Sequence, residues 1–371
     1  MELLYITWGY PWDDAIIRAF ERSGITVRQL ALPAESEAEH ILKQQLRDHD
    51  TDLVFSVNFF KCISHFCQQE QFPYASWVLS LPNFDLFTDA VWNPCNYIGI
   101  CDSYLTEQLL NKGIRKVYFL PDAIEAPVIS ALDTVPLYRE ACFIGDYPQQ
   151  TLKLHDLPLY SRGYVEAFLH AQRVLPGIYI LEDGLLGRVY QDVSAVNSIP
   201  DKILPDFHKL YLADYYLAPS CTALQQTIFM QNYENIITIY SDSDFSRCRQ
   251  CTKLPFPTDP SIRNRIYAEK EFTVVLAPHV LHNGIPRQTL EVIAAGGFPI
   301  CAMQKDYSYF FKEGETLTCF HDSAEFNRLV VAYGNDPEKR EHLRRAAYQL
   351  VTTHHTYDRR ISSMLHMWET L

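Results

Sequence analysis

The chain has 371 residues, of which 47% are hydrophobic and 21% charged, and its formal net charge is -13 at pH 7. This length exceeds what one hydrophobic core usually organises, so it predicts two domains. No run of about 18 apolar residues occurs, and a membrane-spanning helix is therefore not expected. The acidic balance argues against nucleic acid as a partner, because binding to a phosphate backbone needs a basic face.

The amino terminus and the cysteines bear on the cellular compartment. Residues 1–7 lack a basic region followed by a cleavage site, and they predict a first β-strand rather than a signal peptide. Ten cysteines are scattered along the chain, a pattern typical of reduced, small apolar residues rather than of a disulfide framework. We therefore expect a cytoplasmic protein.

The first part of the chain alternates short apolar runs with amphipathic stretches. Strands are predicted at residues 3–7, 26–30, 53–57, 74–79, 97–100 and 117–120, and helices at 12–23, 36–49, 63–66 and 105–111. Strands that alternate with helices predict a parallel sheet covered on both faces, because parallel strands need crossover connections. This is a Rossmann-like α/β domain, which we place at residues 1–135.

A second α/β domain is predicted at residues 136–350. The linker is expected between 121 and 138, where three prolines interrupt the periodicity, and the stretch 152–240 is mostly helical. Beyond it, strands are predicted at 272–277, 298–301 and 316–320, with helices at 286–295, 306–312 and after the caps Asp322 and Asp336. Residues 351–371 form a final helix with Ile361, Met364 and Trp368 on one face.

The loop and helix at residues 278–291 have the form of an anion site. Ligands of open parallel sheets bind where strands end and helix N-termini begin, since backbone N-H groups there favour negative charge. Gly284 allows close backbone approach, and Arg287 and Glu291 share one helical face. A diphosphate is expected to meet Arg287, and ribose hydroxyls to meet Glu291. The alternative interpretation is an intrahelical Arg-Glu pair on a solvated surface.

From residue 272 onwards the sequence resembles the carboxyl-terminal domain of GT-B glycosyltransferases, in particular the group that contains CgeB-like bacterial spore maturation proteins. The residues that carry the resemblance are Gly284-Ile285-Pro286-Arg287-Gln288-Thr289-Leu290-Glu291 and the closing Gly296-Gly297-Phe298. In that family the arginine stands one place later, where this chain has Gln288. The resemblance implies two Rossmann-like domains facing across a cleft, with the final helix crossing back to the first domain.

Two further departures from the family concern acidic residues. Retaining GT-B enzymes often carry two glutamates eight positions apart, and here Asn283 replaces the first. In the amino-terminal part, Asn58 and Ser80 stand where the family has aspartates. The catalytic base is therefore unassigned, and Asp85, His65 and Asp89 are the remaining candidates.

Three other motifs carry weaker signals. The D-x-D at Asp242 and Asp244 matches the metal-binding motif of metal-dependent transferases. Any acidic turn can match this motif, so alone it does not indicate a metal site. The C-x-x-C at Cys248 and Cys251 lacks the second pair that a structural zinc needs. Residues 355–360, which resemble a terminal element of the family, are interpreted as structural. No metal and no cofactor are expected.

Two sets of residues remain as candidates for substrate contact. His282 lies in the loop itself, where contact with the donor phosphate or the acceptor and a purely structural role are both open. The loop Trp8-Gly9-Tyr10 follows the first strand and is the candidate for the acceptor side.

The predicted function is transfer of a sugar from a nucleotide-sugar donor, with a UDP-sugar favoured, to a glycan or protein acceptor without metal. Arg287 and His282 are the predicted catalytic residues, and Asn283, Gly284, Gln288 and Glu291 bind the donor. Two alternatives remain open at this point. One is a non-catalytic sugar- or nucleotide-binding protein of surface or spore assembly, and the other is a UDP-sugar epimerase on the same fold.

Overall fold

A computed structural model describes residues 1–32, 37–47, 50–126, 132, 138–175, 177–233, 236–246, 248 and 251–368. The chain divides into two compact units. Unit 1 contains Met1–Glu125, Pro200–His208 and His355–Leu371, and unit 2 contains Ala126–Ile199 and Lys209–His354. The predicted domain limits at residues 135 and 350 stay predictions, and the first of them falls outside the described residues.

Unit 1 is built on a six-stranded parallel sheet with the order β2-β1-β3-β4-β5-β6. The strands are β1 Glu2–Thr7, β2 Thr26–Ala31, β3 Leu53–Val57, β4 Tyr74–Val78, β5 Asn96–Ile100 and β6 Val117–Phe119. Every residue of β3 and β4 is buried, as expected for central strands that helices cover on both faces.

The helices of unit 1 include the end of the chain. They are α1 Asp13–Arg22, α2 Ala38–Arg47, α3 Lys61–Gln69, α4 Ser103–Asn111 and the final helix, α14, Tyr357–Trp368. Residues 36, 48 and 49 of the predicted second helix lie outside the described part. The apolar face predicted for the last helix is buried in unit 1, where Trp368 stacks on Phe20 with ring centroids 6.2 Å apart.

A short segment in the middle of the chain also belongs to unit 1. Within Pro200–His208, Phe207 is fully buried and stacks on Phe87, with ring centroids 5.2 Å apart. Nothing in the sequence pattern predicts this return of the chain.

Unit 2 is built on a second six-stranded parallel sheet with the order β12-β11-β10-β7-β8-β9. Its strands are β7 Tyr138–Ile144, β8 Ile237–Tyr240, β9 Cys251–Leu254, β10 Lys270–Val275, β11 Pro299–Ala302 and β12 Thr318–Phe320. Strand β9 is not predicted from the sequence, because three of its four residues are exposed and no apolar alternation marks it.

The helices of unit 2 follow the predicted pattern in the last hundred residues. They are α5 Leu159–Arg173, α6 Gly187–Val196, α7 His208–Leu212, α8 Ala218–Asn232, α9 Pro260–Glu269, α10 Arg287–Ala294, α11 Tyr307–Phe310, α12 Ser323–Asn335 and α13 Pro337–His354. As predicted, the side chains of Asp322 and Asp336 accept backbone N-H groups at the starts of α12 and α13. In the described part of the chain, the helices are too short or too polar to cross a membrane.

Candidate functional site

The order of strands in unit 2 reverses between β7 and β10. Strands β8 and β9 lie on one side of this pair, and β11 and β12 lie on the other. The loops that leave the carboxyl ends of β7 and β10 therefore run to opposite sides of the sheet and open a crevice, which is the usual ligand position in such sheets. The loop after β10 leads to α10, so the segment predicted as an anion site occupies this point.

Arg287, the first residue of α10, forms an ion pair with Glu291, one helical turn later, with Nε 2.8 Å from Oε1. The alternative interpretation of the sequence, an intrahelical pair, is thus present. The side chains are 16% and 18% exposed, respectively, so both keep access to solvent. The first turn of α10 contains no acidic residue, which leaves the positive end of the helix dipole uncompensated by side chains within that turn.

Gln288 connects α10 to the neighbouring strand. Its Nε2 donates to the carbonyl oxygen of Ile144 at the end of β7, at 3.0 Å, and lies 3.2 Å from the hydroxyl of Tyr267. Burial raises the pKa of Tyr267, so this hydroxyl stays protonated and neutral. The first bond holds the start of α10 against the carboxyl end of β7, and the second connects it to α9.

His282 is buried and bonded to a residue that the sequence analysis missed. Its Nε2 lies 2.7 Å from Oδ1 of Asp214, and the hydroxyl of Tyr179 donates to the same oxygen at 2.9 Å. Tyr179 also contacts the imidazole edge to face, with ring centroids 4.1 Å apart. The side chain of His282 has no exposed surface. No sequence motif marks Asp214 or Tyr179, which lie 68 and 103 residues before His282.

Asp214 lies on a π-helical turn, Ala213–Leu217, between α7 and α8. Such turns interrupt the regular helical hydrogen bonds and are frequent at functional sites. The second half of the loop that His282 occupies is packed: Asn283 and Gly284 are buried, and the carbonyl of Asn283 accepts the backbone N-H of Asp306 at 3.0 Å. These contacts restrain the part of the loop next to α10.

Asp146 organises the ends of β7 and β8. Its Oδ1 accepts the hydroxyl of Ser241 at 2.7 Å and the backbone N-H groups of Asp242 and Ser243 at 2.7 and 3.0 Å. Burial acts to raise the pKa of Asp146, but these hydrogen bonds outweigh it and lower the pKa. The sequence offered a signal for this residue, because Gly145-Asp146 directly follows the apolar run of residues 141–144.

The two aspartates of the D-x-D motif accept hydrogen bonds from backbone N-H groups of loops on either side of β9. Asp242 accepts the backbone N-H of Phe256 at 3.1 Å, and Asp244 accepts that of Ser246 at 2.9 Å. In the C-x-x-C motif, the thiol of Cys251 donates to the carbonyl of Cys248.

The loop Trp8-Gly9-Tyr10 lies at the reversal point of unit 1, between β1 and β3. The indole Nε1 of Trp8 donates to the carbonyl of Val57, the last residue of β3, at 2.7 Å. Gly9 has φ of 87° and open space around its Cα, while Tyr10 is buried and its ring centroid lies 5.8 Å from that of Trp8. Trp8 keeps 38% of its surface exposed, so an aromatic face is available to a ligand.

Asn58 and Ser80, which replace family aspartates, lie close together in unit 1. The Oδ1 of Asn58 accepts the backbone N-H groups of Leu79 and Ser80 at 3.0 and 2.9 Å. Asn58 has φ of 65°, a left-handed conformation that asparagine tolerates better than most residues. This asparagine therefore shapes the loop after β4.

The other candidates for the base are engaged in unit 1. Asp85 accepts the backbone N-H of Lys61 at 3.2 Å and pairs with Lys202 at 3.3 Å. His65 and Asp89 lie 3.5 Å apart on the surface.

Residues 354–360 join the last helix to unit 1. The imidazole Nδ1 of His355 lies 2.8 Å from the guanidinium of Arg360, whose Nε donates to the carbonyl of Pro121 at 2.9 Å. Burial lowers the pKa of Arg360 to about 10, and the nearby Asp122 partly offsets this effect. These contacts are compatible with the structural role predicted for residues 355–360, which stays a prediction.

Comparison with protein families places part of this site in a known group. Residues 257–366 match the family described as "Glycosyl transferase-like". This range contains the loop after β10 and the whole of α10. A comparison with curated protein sequences finds no significant match.

Solved structures similar to this chain have the GT-B fold. Anabaena HepE in complex with UDP and glucose has 8% sequence identity and a TM-score of 0.54, with all of both chains covered. Sucrose-phosphate synthase from Thermosynechococcus elongatus has 10% identity and a TM-score of 0.55, covering 100% of this chain and 98% of its own. The lipopolysaccharide outer core galactosyltransferase WaaB has 10% identity and a TM-score of 0.53, again with all of both chains covered.

At these identities the similarity establishes the fold alone, and the family match covers residues 257–366. The chain has the GT-B fold and is an enzyme of the glycosyltransferase type, and its residues 257–366 match the family described as glycosyl transferase-like.

Proposed function

We propose that the protein transfers a hexose from a UDP-sugar to a glycan or protein acceptor, and that unit 2 binds the donor at the start of α10. The observation that carries this proposal is the Arg287–Glu291 pair at the strand reversal, inside the family-matched region. The choice of nucleotide is supported by HepE, whose structures contain UDP with glucose and UDP-glucose.

In this proposal the diphosphate meets the guanidinium of Arg287 and the N-terminus of α10. Guanidinium groups bind phosphate oxygens through paired, charge-assisted hydrogen bonds, and a helix N-terminus adds a favourable dipole. Both act most strongly on the departing nucleotide diphosphate, because negative charge accumulates there as the glycosidic bond breaks. These groups supply the positive charge of the site without a metal.

Glu291 binds the ribose in the same proposal. It lies one helical turn beyond Arg287, and only its Oε1 is bonded to the arginine. A carboxylate has acceptor sites on both oxygens, so it accepts ribose hydroxyls while keeping its contact with Arg287. Asn283 and Gly284 line the donor through the loop backbone, and Gln288 keeps α10 at the β7 edge.

We propose that His282 positions the donor-binding loop and does not contact the reacting groups. Since its imidazole is fully buried and bonded to Asp214, it contributes by fixing the loop that contacts the donor. Trp8, Gly9 and Tyr10 are proposed to contact the acceptor, because the exposed indole offers an apolar face on which a sugar ring packs.

The test is a thermal-shift panel of UDP-, GDP-, CMP- and TDP-sugars on the wild type, Glu291→Ala and Glu269→Ala. Glu269 forms the corresponding i,i+4 pair with Arg265 on α9 and is the matched control. We expect one UDP-sugar to raise the melting temperature of the wild type and of the control but not of Glu291→Ala. Equal shifts in all three proteins would place the donor elsewhere, and no shift from any sugar would favour a non-catalytic role.

A further inference from the structure

Unit 2 contains a second cavity, of about 520 Å³, that none of the proposed donor residues lines. It lies among the end of α5, the outer part of α8 and the start of α12, next to the carboxyl ends of β10 and β12. Its volume is within the range of about 300–1,000 Å³ that is typical of small-molecule sites.

Three residues that line this cavity, one on each of three helices, carry an unsatisfied polar atom. Nε of Arg173 on α5, Oε1 of Gln225 on α8 and Oδ1 of Asn327 on α12 are buried and have no hydrogen-bond partner within the described structure. Asn327 is only 9% exposed. Its Nδ2 donates to the carbonyl of Asn232 at 3.4 Å, so only its Oδ1 is unsatisfied. Buried polar atoms are nearly always bonded in folded proteins, so three of them around one cavity indicate a missing partner.

The chemical types of these atoms restrict the ligand. Two of the three are acceptors and one is a donor, so the partner must offer hydrogens as well as lone pairs. Hydroxyl groups do both, whereas a phosphate or carboxylate ligand is an acceptor and satisfies Arg173 alone. The carboxylate of Asp322, which also lines the cavity, repels an anion and accepts from a hydroxyl.

The rest of the lining suits a sugar ring. The side chains of Phe229, Leu276 and Phe320 give apolar surface, and Asn232 and Ser323 add further amide and hydroxyl groups. Pyranose rings present apolar C-H faces with hydroxyls around the rim, which matches this mixture. From these observations we infer that the cavity among α5, α8 and α12 is a binding site for a neutral saccharide, separate from the donor site.

The experiment measures saturation-transfer NMR signals of glucose, galactose, N-acetylglucosamine and maltose on the full chain. Ala324 lines the cavity on the exposed side of α12, so Ala324→Trp blocks it with little strain. Ala167→Trp on α5 is the control, since Ala167 is also exposed and helical but does not line the cavity. Gln225→Leu removes one acceptor at similar volume and serves as a second variant.

We expect at least one saccharide to bind the wild type and Ala167→Trp, and its affinity to fall about tenfold or more in Ala324→Trp and in Gln225→Leu. Equal binding in wild type and Ala324→Trp, absence of binding by all four sugars, or displacement of the sugar by inorganic pyrophosphate would overturn the inference. The UDP-sugar thermal shift is recorded on the same samples. A retained shift in Ala324→Trp separates this site from the donor site, and saccharide binding without any nucleotide shift would sustain this inference while the proposed function fails.

Discussion

At the point where the strand order reverses, each of the two sheets has a side chain that bonds across to the neighbouring strand. The helices that begin at these two points differ in charge. In unit 1 the indole of Trp8 crosses from the loop after β1 to the last carbonyl of β3, and in unit 2 the amide of Gln288 crosses from α10 to the last carbonyl of β7. The helix that follows differs: α1 begins with Asp13 and Asp14, whereas α10 begins with Arg287.

This difference supports the proposal that the nucleotide binds at the edge in unit 2 and not at the edge in unit 1. Acidic residues in the first turn neutralise the positive end of a helix dipole and repel anions, while an arginine there adds to the attraction. In the proposed function, a few residues at the start of one helix therefore decide which edge attracts the diphosphate. The variants below test that contrast.

The largest expected effect is on turnover in Arg287→Ala. Loss of the guanidinium removes charge stabilisation from the departing diphosphate, so the rate of UDP release should fall by about 10²-fold or more. The folding stability should change by less than about 1 kcal/mol, since the pair with Glu291 is partly exposed. Steady-state kinetics and urea unfolding measure the two quantities.

The matched control for this variant is Arg265→Ala. Arg265 forms the same type of i,i+4 pair with Glu269 on α9. Its loss should leave turnover within about twofold. A similar decrease in both variants would mean that helix pairs in general, and not the start of α10, support activity.

Asp214→Ala should have the largest effect on stability. The substitution removes the buried carboxylate that the hydroxyl of Tyr179 and Nε2 of His282 both contact, which costs about 1–3 kcal/mol. Urea unfolding of the wild type, Asp214→Ala and the double variant Asp214→Ala/Tyr179→Phe measures this cost. Because Tyr179→Phe removes the hydroxyl that donated to Asp214, the double variant should recover part of the lost unfolding free energy. If it recovers none, the bond between Tyr179 and Asp214 does not account for the loss.

Asp13→Asn tests the charge at the start of α1 through its dependence on pH. Burial raises the pKa of Asp13, although hydrogen bonds from Tyr5 and Tyr10 oppose this effect. A raised pKa in the folded state gives stability that is present at low pH and is lost as the pH rises through that pKa. The stability of the wild type relative to Asp13→Asn should therefore decrease from about pH 4 to pH 7, as measured by urea unfolding. An increase over the same interval would mean that the pKa of Asp13 is lowered on folding, not raised.

The smallest expected effect is that of Trp8→Phe on nucleotide binding. Trp8 belongs to unit 1, so the affinity for a UDP-sugar should change by no more than about twofold. The thermal shift that the sugar causes measures this affinity. The variant loses the indole bond to Val57 but keeps an aromatic ring. A complete loss of the shift would place the nucleotide in contact with the aromatic loop and reverse the assignment of the two edges.

Much of unit 2 was predictable because its signals are local. The helix predicted at residues 286–295 runs from Arg287 to Ala294, and the predicted strand at 272–277 corresponds to β10. Asp322 caps α12 as its spacing with Glu325 indicated. Each of these features depends on residues within one or two turns of each other.

The partners of the site residues were not predictable for the opposite reason. His282 and Asp214 are brought together by packing across 68 residues, and Trp8 meets Val57 across 49 residues. Asp214, the partner of His282, lies in a helical part of the chain that contains no sequence motif. Only the tertiary fold brings it to the site. The exposed strand β9 also lacks the apolar alternation that marks a half-buried strand.

Hydrogen-deuterium exchange with and without UDP tests the assignment of the nucleotide to unit 2 most directly. We predict slower exchange in peptides that cover residues 279–294, because bound diphosphate orders the loop and the first turn of α10. Peptides that cover residues 8–22 should be unchanged. Protection of residues 8–22 with no change at 279–294 would contradict the account.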